Sequence, residues 1–175
     1  MLFKELETER LILKNISFDD RDFIYDQFSN ASVNQYLYDA EPLVDIQGAD
    51  EIIEFYLQPE PRAQHRWILM TKAGTKIGTG GFHCWNSSKG VCDIGYDLNP
   101  DFEGEGYMTE AINILLKYAQ NEMKLKKINA CIYVENEKSI KLVEKFGFKY
   151  QGETESTVFR EKTYLHKIYH LGLMD

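Results

Sequence analysis

The residues best placed by type and spacing to do chemistry surround a glycine-bearing turn at 100–111, Pro-Asp-Phe-Glu-Gly-Glu-Gly-Tyr-Met-Thr-Glu-Ala. Gly104 and Gly106 stand where a run rich in β-formers, Val91–Leu98, has been ended by Asn99-Pro100 and a helical pattern begins. From there Met108, Ala111, Ile112, Leu115, Leu116, Ala119 and Met123 trace one helix face. A strand, a Gly turn and a helix in that order aim unpaired backbone N–H groups, backed by the positive end of the helix dipole, at one point. The chemistry such a turn suits is the binding of a phosphate group, which glycine allows to approach the backbone closely. An ordinary strand-to-helix connection uses the same residues, and the glycines alone do not separate the two readings. Two phosphate loops are excluded by residue type. No Gly-Lys-Ser/Thr follows the turn, as a nucleotide–magnesium site needs, and no GxGxxG opens a βαβ unit.

Composition narrows the class of protein further. A chain of 175 residues with 43% hydrophobic and 27% charged residues reads as one soluble globular domain, 1–175. Lys4, Glu5, Glu7, Glu9 and Arg10 make residues 1–10 unlike a signal peptide, and no apolar run approaches the roughly 18 residues of a membrane span. Cys84, Cys92 and Cys131 form no CxxC, so reduced thiols and a cytoplasmic location are expected. His65, His83, His166 and His170 form no HExxH-like pair, so no metal site is expected. With 20 basic and 28 acidic residues the net charge is −8, which argues against nucleic acid as a partner and mildly favours cationic ones. Monomer and homo-oligomer both stay open.

The rest of the chain supplies elements to position the turn. Residues 9–16 read as a first strand; Ser17 then caps a helix with acids in its first turn and Phe18, Ile24, Tyr25 and Phe28 as apolar surface. Residues 31–38 read as a short helix and loop. The acids Asp39, Glu41, Asp45, Asp50, Glu51, Glu54 and Glu60 are interrupted by no Lys or Arg, and Ile52, Ile53, Tyr56 and Leu57 among them suggest an amphipathic helix closed by Pro59 and Pro61. This stretch is either a solvated face or one wall of a site for a cation. Residues 66–71, 76–85 and Val91–Leu98 form a meander of antiparallel strands feeding the turn. After the helix come a strand at 127–134, a short helix begun by Asn136 and stopped by Gly147, and strands near 148–159 and 164–171.

At this point the chain resembles the GNAT superfamily of acetyl-CoA-dependent N-acetyltransferases, and within it the bacterial branch that acetylates ribosomal-protein N-termini. The resemblance runs over nearly the whole sequence: Glu7-Thr-Glu-Arg-Leu-Ile-Leu at the start, Ile77-Gly-Thr-Gly-Gly after the strand ending at Thr71, then Asp93-Ile-Gly-Tyr. Gly104-Glu-Gly-Tyr-Met-Thr-Glu-Ala follows as the pyrophosphate motif. Asn136-x-x-Ser139, continuing to Glu144-Lys-Phe-Gly-Phe, is similar to the fourth-helix motif. The two motifs in this order carry far more weight than the Gly turn alone.

The resemblance implies an α/β fold with a mixed, mostly antiparallel central sheet, flanked by helices, whose fourth and fifth strands splay to admit the pantetheine arm of acetyl-CoA. It implies that backbone near Tyr96 and Leu98 pairs with pantetheine, that Glu103, Gly104, Glu105, Gly106, Tyr107, Met108 and Thr109 wrap the pyrophosphate, and that Asn136 and Ser139 lie at the pantetheine or acetyl end. Two departures stand out. Glu103 replaces the family's usual Gln or Arg, so its carboxylate is expected to point away from the diphosphate. Val143 replaces a tyrosine that serves many members as general acid. Lys138, Lys141 and Lys145 share a helix face that is either solvated or touches the 3′-phosphate of coenzyme A, with Lys141 the chosen contact. The expected reaction is direct attack of a primary amine, foremost a peptide N-terminal α-amine, on the thioester. Ser139, Asp93 and His83 are the candidate catalytic groups. Polyamines or other small amines remain an alternative acceptor, and a non-catalytic acyl-CoA-binding module an alternative protein.

Overall fold

Leu11 and Leu13 are fully buried and alternate with the half-buried Ile12 and Lys14, so this strand turns one face to a core; it is paired on both edges. In the computed structural model, which describes residues 3–173, it is β2 (Leu11–Asn15), preceded by a two-residue strand β1 (Leu6–Glu7). Met1, Leu2, Met174 and Asp175, at the two ends of the expected 1–175 domain, lie outside the described residues. The strand expected over 9–16 is β2, and β1, not expected, is set off from it because Thr8 turns the chain: its N–H donates to Leu11 O at 2.9 Å and its Oγ1 accepts from Leu11 N at 3.0 Å. The remaining strands are β3 (His65–Thr71), β4 (Lys76–Asn86), β5 (Val91–Leu98), β6 (Lys127–Tyr133), β7 (Lys149–Phe159) and β8 (Lys162–Gly172). They form one sheet of eight strands in the order β1-β2-β3-β4-β5-β6-β8-β7. Every pairing is antiparallel except that of β5 with β6.

Four α-helices cover the sheet: α1 (Arg21–Ser29), α2 (Ile46–Tyr56), α3 (Tyr107–Asn121) and α4 (Glu137–Lys145). Ser17 does not cap α1 directly. It opens a single 3-10 turn, Phe18–Asp20, in a capping box with Asp20, whose fully buried carboxylate is held by Lys14 at 2.9 Å and Lys76 at 2.7 Å. Trp67 and Leu69 join Met108, Ala111, Ile112, Leu115 and Val143 in one core, so α3 and α4 lie on one face. Ile68, on the opposite side of β3, joins Ile16, Ile24, Ala49 and Ile53, which puts α1 and α2 on the other. Each fully buried Leu or Ile here contributes about 1.5–3 kcal/mol. The sheet is therefore clamped between two helical layers, and a defect in its hydrogen bonding opens into its interior.

Candidate active site

That defect is where β5 meets β6. The parallel ladder runs only through Val91↔Lys127, Cys92↔Ile128 and Asp93↔Asn129. Beyond Asp93 and Asn129 the strands part, while β5 stays paired to β4 as far as Leu98 and β6 stays paired to β8 through Tyr133. The facing edges of residues 94–98 and 130–133 thus carry backbone groups outside any ladder between them. These are the two strands that the resemblance counts as fourth and fifth, displaced by one in the count because β1 precedes them. A wedge bounded by backbone suits a chain that itself carries amides, as pantetheine does.

The Gly turn closes one end of the wedge. Asn99 accepts from Asp101 N at 3.0 Å and starts a 3-10 turn, Pro100–Phe102, after which Gly104 and Gly106 take φ of +80 and +81, values that L side chains rarely adopt. Gly106 is the residue before α3, so the free N–H groups of the helix begin here. Nothing lies within 4 Å of the place where a Cβ on Gly104 would stand, leaving the backbone approachable. The turn therefore fits a diphosphate. Tyr107, Met108 and Thr109 form the first turn of α3. Met108 is buried in the core, so only its backbone is available to a ligand. The Glu103 carboxylate is drawn to Lys138 Nζ on α4, 2.5 Å away. It is thus Lys138, not Lys141, that reaches the turn; Lys141 pairs with Glu137 one helical turn back at 3.2 Å.

A cleft of about 850 Å³ opens from the wedge between the sheet and its cover, a 3-10 turn at Val33–Tyr36 and α2. Its lining joins the wedge residues Tyr96, Asn136 and Ser139 to the carboxylates of Asp39, Glu51, Asp93 and Glu155 and to a tyrosine wall. Tyr38 of that wall meets Tyr133, which also lines the cleft, edge-on at 4.9 Å, and is braced by a stack on Tyr164 with ring centroids 3.7 Å apart. Aromatic faces and carboxylates together attract a cation. Glu41 also lines the cleft but is paired with Arg160, while Asp50, outside it, is paired with Arg21. Arg66, on the cleft floor, is neutralised by Asp97 at 3.0 Å.

His83 and Asp93 are cross-strand partners on β4 and β5, so the sheet brings these two candidates together on the cleft side. The His83 ring lies over Gly95, where an added Cβ would stand 3.0 Å from Cε1. Burial lowers the His83 pKa, with Asp93 opposing and Arg66 adding to the effect, so the imidazole is held neutral and able to accept a proton. Asp93 in turn accepts from Asn129 Nδ2 at 2.9 Å, and Asn129 Oδ1 faces His170 Nδ1 at 2.9 Å. A polar row thus crosses four strands at the vertex of the wedge.

Ser139 lies on the other side of the wedge, on α4. Asn136 caps that helix through its side-chain oxygen, which accepts from Ser139 N at 3.2 Å. Ser139 Oγ is 2.7 Å from the hydroxyl of Tyr96 on β5. Burial pushes the Tyr96 phenol up to about 12, against the pull of its Ser139 hydrogen bond. Val143 is fully buried in the core, so the position of the family's usual tyrosine is committed to packing. A phenol nonetheless reaches α4, from the opposite strand. Neither this pairing nor the Asn129–His170 row had a signal in sequence. Tyr38, Tyr133 and Tyr164 come from three separate elements and were likewise beyond any local pattern.

Among the described residues no group of three or more His, Cys, Asp or Glu side chains converges as metal ligands, and no helix is long and apolar enough to cross a membrane. Comparison with known proteins agrees with the geometry. The model of the acetyltransferase (GNAT) domain matches residues 10–149. The uncharacterized N-acetyltransferase p20 of Bacillus licheniformis is 32% identical over 149 residues, 84% of this chain and 83% of that one. The crystal structure of a GNAT-family acetyltransferase from Bacillus anthracis superposes with a TM-score of 0.82 at 21% identity, covering 97% and 98% of the two chains. Spermidine N-acetyltransferase from Vibrio cholerae, solved with CoA and spermine, gives 0.83 at 22% identity over 94% and 96%. The family model spans both the wedge between β5 and β6 and the Gly turn, and makes this chain a member of the GNAT acetyltransferases, enzymes that acetylate amines from acetyl-CoA.

Proposed function

We propose that the acceptor is a cationic primary amine that enters the acidic, tyrosine-lined cleft and meets the thioester at the wedge, the peptide N-terminal α-amine being the first choice. The observation that carries the cationic reading is the joint lining of one cleft by Asp39, Glu51, Asp93, Glu155 and the rings of Tyr36, Tyr38 and Tyr133. The choice of the α-amine rests on proton cost. At pH 7 an α-amine is deprotonated for about 1 kcal/mol, a lysine-type amine for about 4.6 kcal/mol. His83, kept neutral beside Asp93, is a base of the modest strength that an α-amine needs.

When bound, acetyl-CoA supplies the acyl group as a thioester. In this reading the 94–98 edge of β5 holds the pantetheine amides, and the Gly104–Thr109 turn holds the diphosphate through its N–H groups. The cleft carboxylates draw in the ammonium, and His83 takes the proton the amine sheds. Ser139, backed by Tyr96, donates a hydrogen bond to the sulfur as negative charge develops on it. The site otherwise works by holding amine and acyl group in line.

A polyamine is the second reading. The same carboxylates and aromatic faces favour it, as does a structural neighbour solved with spermine. Free thiol released from acetyl-CoA, followed with a peptide carrying a free N-terminus, its Nα-blocked counterpart and spermidine, tests both. Turnover of the free peptide alone supports the first reading, and turnover of spermidine alone replaces it with the second.

A further inference from the structure

Arg10, from the opening Glu-Thr-Glu-Arg stretch, is bonded to the phosphate turn 95 residues away. Its Nη1 donates to the carbonyl oxygen of Glu105 at 2.9 Å. Its Nε and backbone N donate to Glu110 Oε2 at 2.7 Å and Oε1 at 2.8 Å, and Thr8 Oγ1 donates to the same Oε1 at 2.5 Å. The guanidinium lies over the Tyr107 ring, 4.5 Å from its centroid, and Nη2 stands 3.5 Å from where a Cβ on Gly106 would be. One side chain therefore touches Glu105, Tyr107 and Glu110 and stands beside Gly106.

In a trans peptide the C=O and N–H point in opposite directions. Anchoring the Glu105 carbonyl on the Arg10 guanidinium thus turns the N–H of Gly106 away from that guanidinium. Glycine at φ +81 has no side chain to resist a flip of that peptide plane, so the orientation depends on what holds the carbonyl. We propose that Arg10 is a positioning residue for the diphosphate cradle, fixing the Glu105–Gly106 peptide so that its N–H faces the cofactor, with Thr8 and Glu110 fixing the guanidinium. The inference rests on the reading of the Gly turn as that cradle.

The test compares wild type with Arg10→Lys, which keeps the charge and loses the planar fork. Calorimetric titration with coenzyme A is read beside the preference for acetyl-CoA over S-acetylpantetheine, a thioester without the diphosphate. Expected are a roughly 10- to 30-fold weaker affinity for coenzyme A and a fall of about the same factor in the ratio of the two kcat/KM values. Affinity within about twofold of wild type in a folded variant overturns the proposal. So does an equal fall for both thioesters, which makes Arg10 a general scaffold residue. If circular dichroism shows that Arg10→Lys does not fold, Glu110→Gln is read by the same criteria. A wild type with no preference for acetyl-CoA over S-acetylpantetheine instead refutes the cradle reading, a result distinguishable from both.

Discussion

Removing the Tyr96 hydroxyl probes the part of the site that departs furthest from the family pattern. Tyr96→Phe leaves the ring, its packing against the core and the β5 backbone in place, and deletes only the atom 2.7 Å from Ser139 Oγ. Ser139 itself stays on α4, positioned by the Asn136 cap. A hydrogen bond to developing charge is worth about 1.4–2.7 kcal/mol, so kcat should fall roughly 10- to 100-fold for Ser139→Ala. Tyr96 acts through Ser139 and should cost somewhat less, about 5- to 30-fold, with acetyl-CoA affinity nearly intact. Because both changes break one chain of donors, the double variant should be no slower than Ser139→Ala by more than about twofold. Burial keeps the phenol protonated up to about 12, so the loss should be the same at every pH across the neutral range.

The assay is thiol release at saturating acetyl-CoA and amine, with coenzyme A affinity measured separately by calorimetry. Full kcat in Ser139→Ala would mean that water protonates the thiolate. Multiplicative losses in the double variant would refute the coupling, since two independent groups would then be at work.

Gly106→Val should weaken coenzyme A binding by at least tenfold in a folded protein, since a β-branched residue at φ +81 costs roughly 1–2 kcal/mol and shifts the turn; calorimetry checks it. Replacing Asp39, Glu51 and Glu155 together by Asn, Gln and Gln should raise KM for a cationic acceptor about tenfold and flatten its salt dependence, while KM for acetyl-CoA holds. His65 is buried, accepts from Arg62 at Nδ1 and meets Asn15 Oδ1 through Nε2, and its pKa is lowered to about 3 by burial first and Arg62 second. A depressed histidine pKa means the unfolded chain binds the extra proton, so the stability is present above the unfolded value of 6.5 and drains as pH falls towards 3. By pH 5 the loss should be about 2 kcal/mol in urea unfolding, and His65→Gln should remove most of it.

Much of this architecture could be read from the residues. Val91–Leu98 was bounded by Gly90 and by Asn99-Pro100 and kept those limits. The α3 face was legible from Met108 to Ala119 because its apolar positions repeat at helical spacing. The expected strand over 9–16 is β2, but β1 was missed, since its two residues are too few for alternation to register. Within the site, local motifs located the turn and α4. What could not be read were pairings set by register across strands, such as Asp93 with Asn129, or by contact between distant elements, such as Arg10 with Glu105. The role of the Lys138–Glu103 pair was hidden for the same reason. Helical periodicity placed the lysines on one face but did not choose which one meets the turn.

The most direct test of the whole account incubates the purified chain with acetyl-CoA and a peptide bearing a free α-amine, following thiol release and the mass of the peptide together. Stoichiometric thiol release with a single acetyl group on the N-terminal nitrogen is the predicted result. Thiol release that is the same with and without any amine would contradict the account, because the cleft would then deliver water rather than an amine to the thioester.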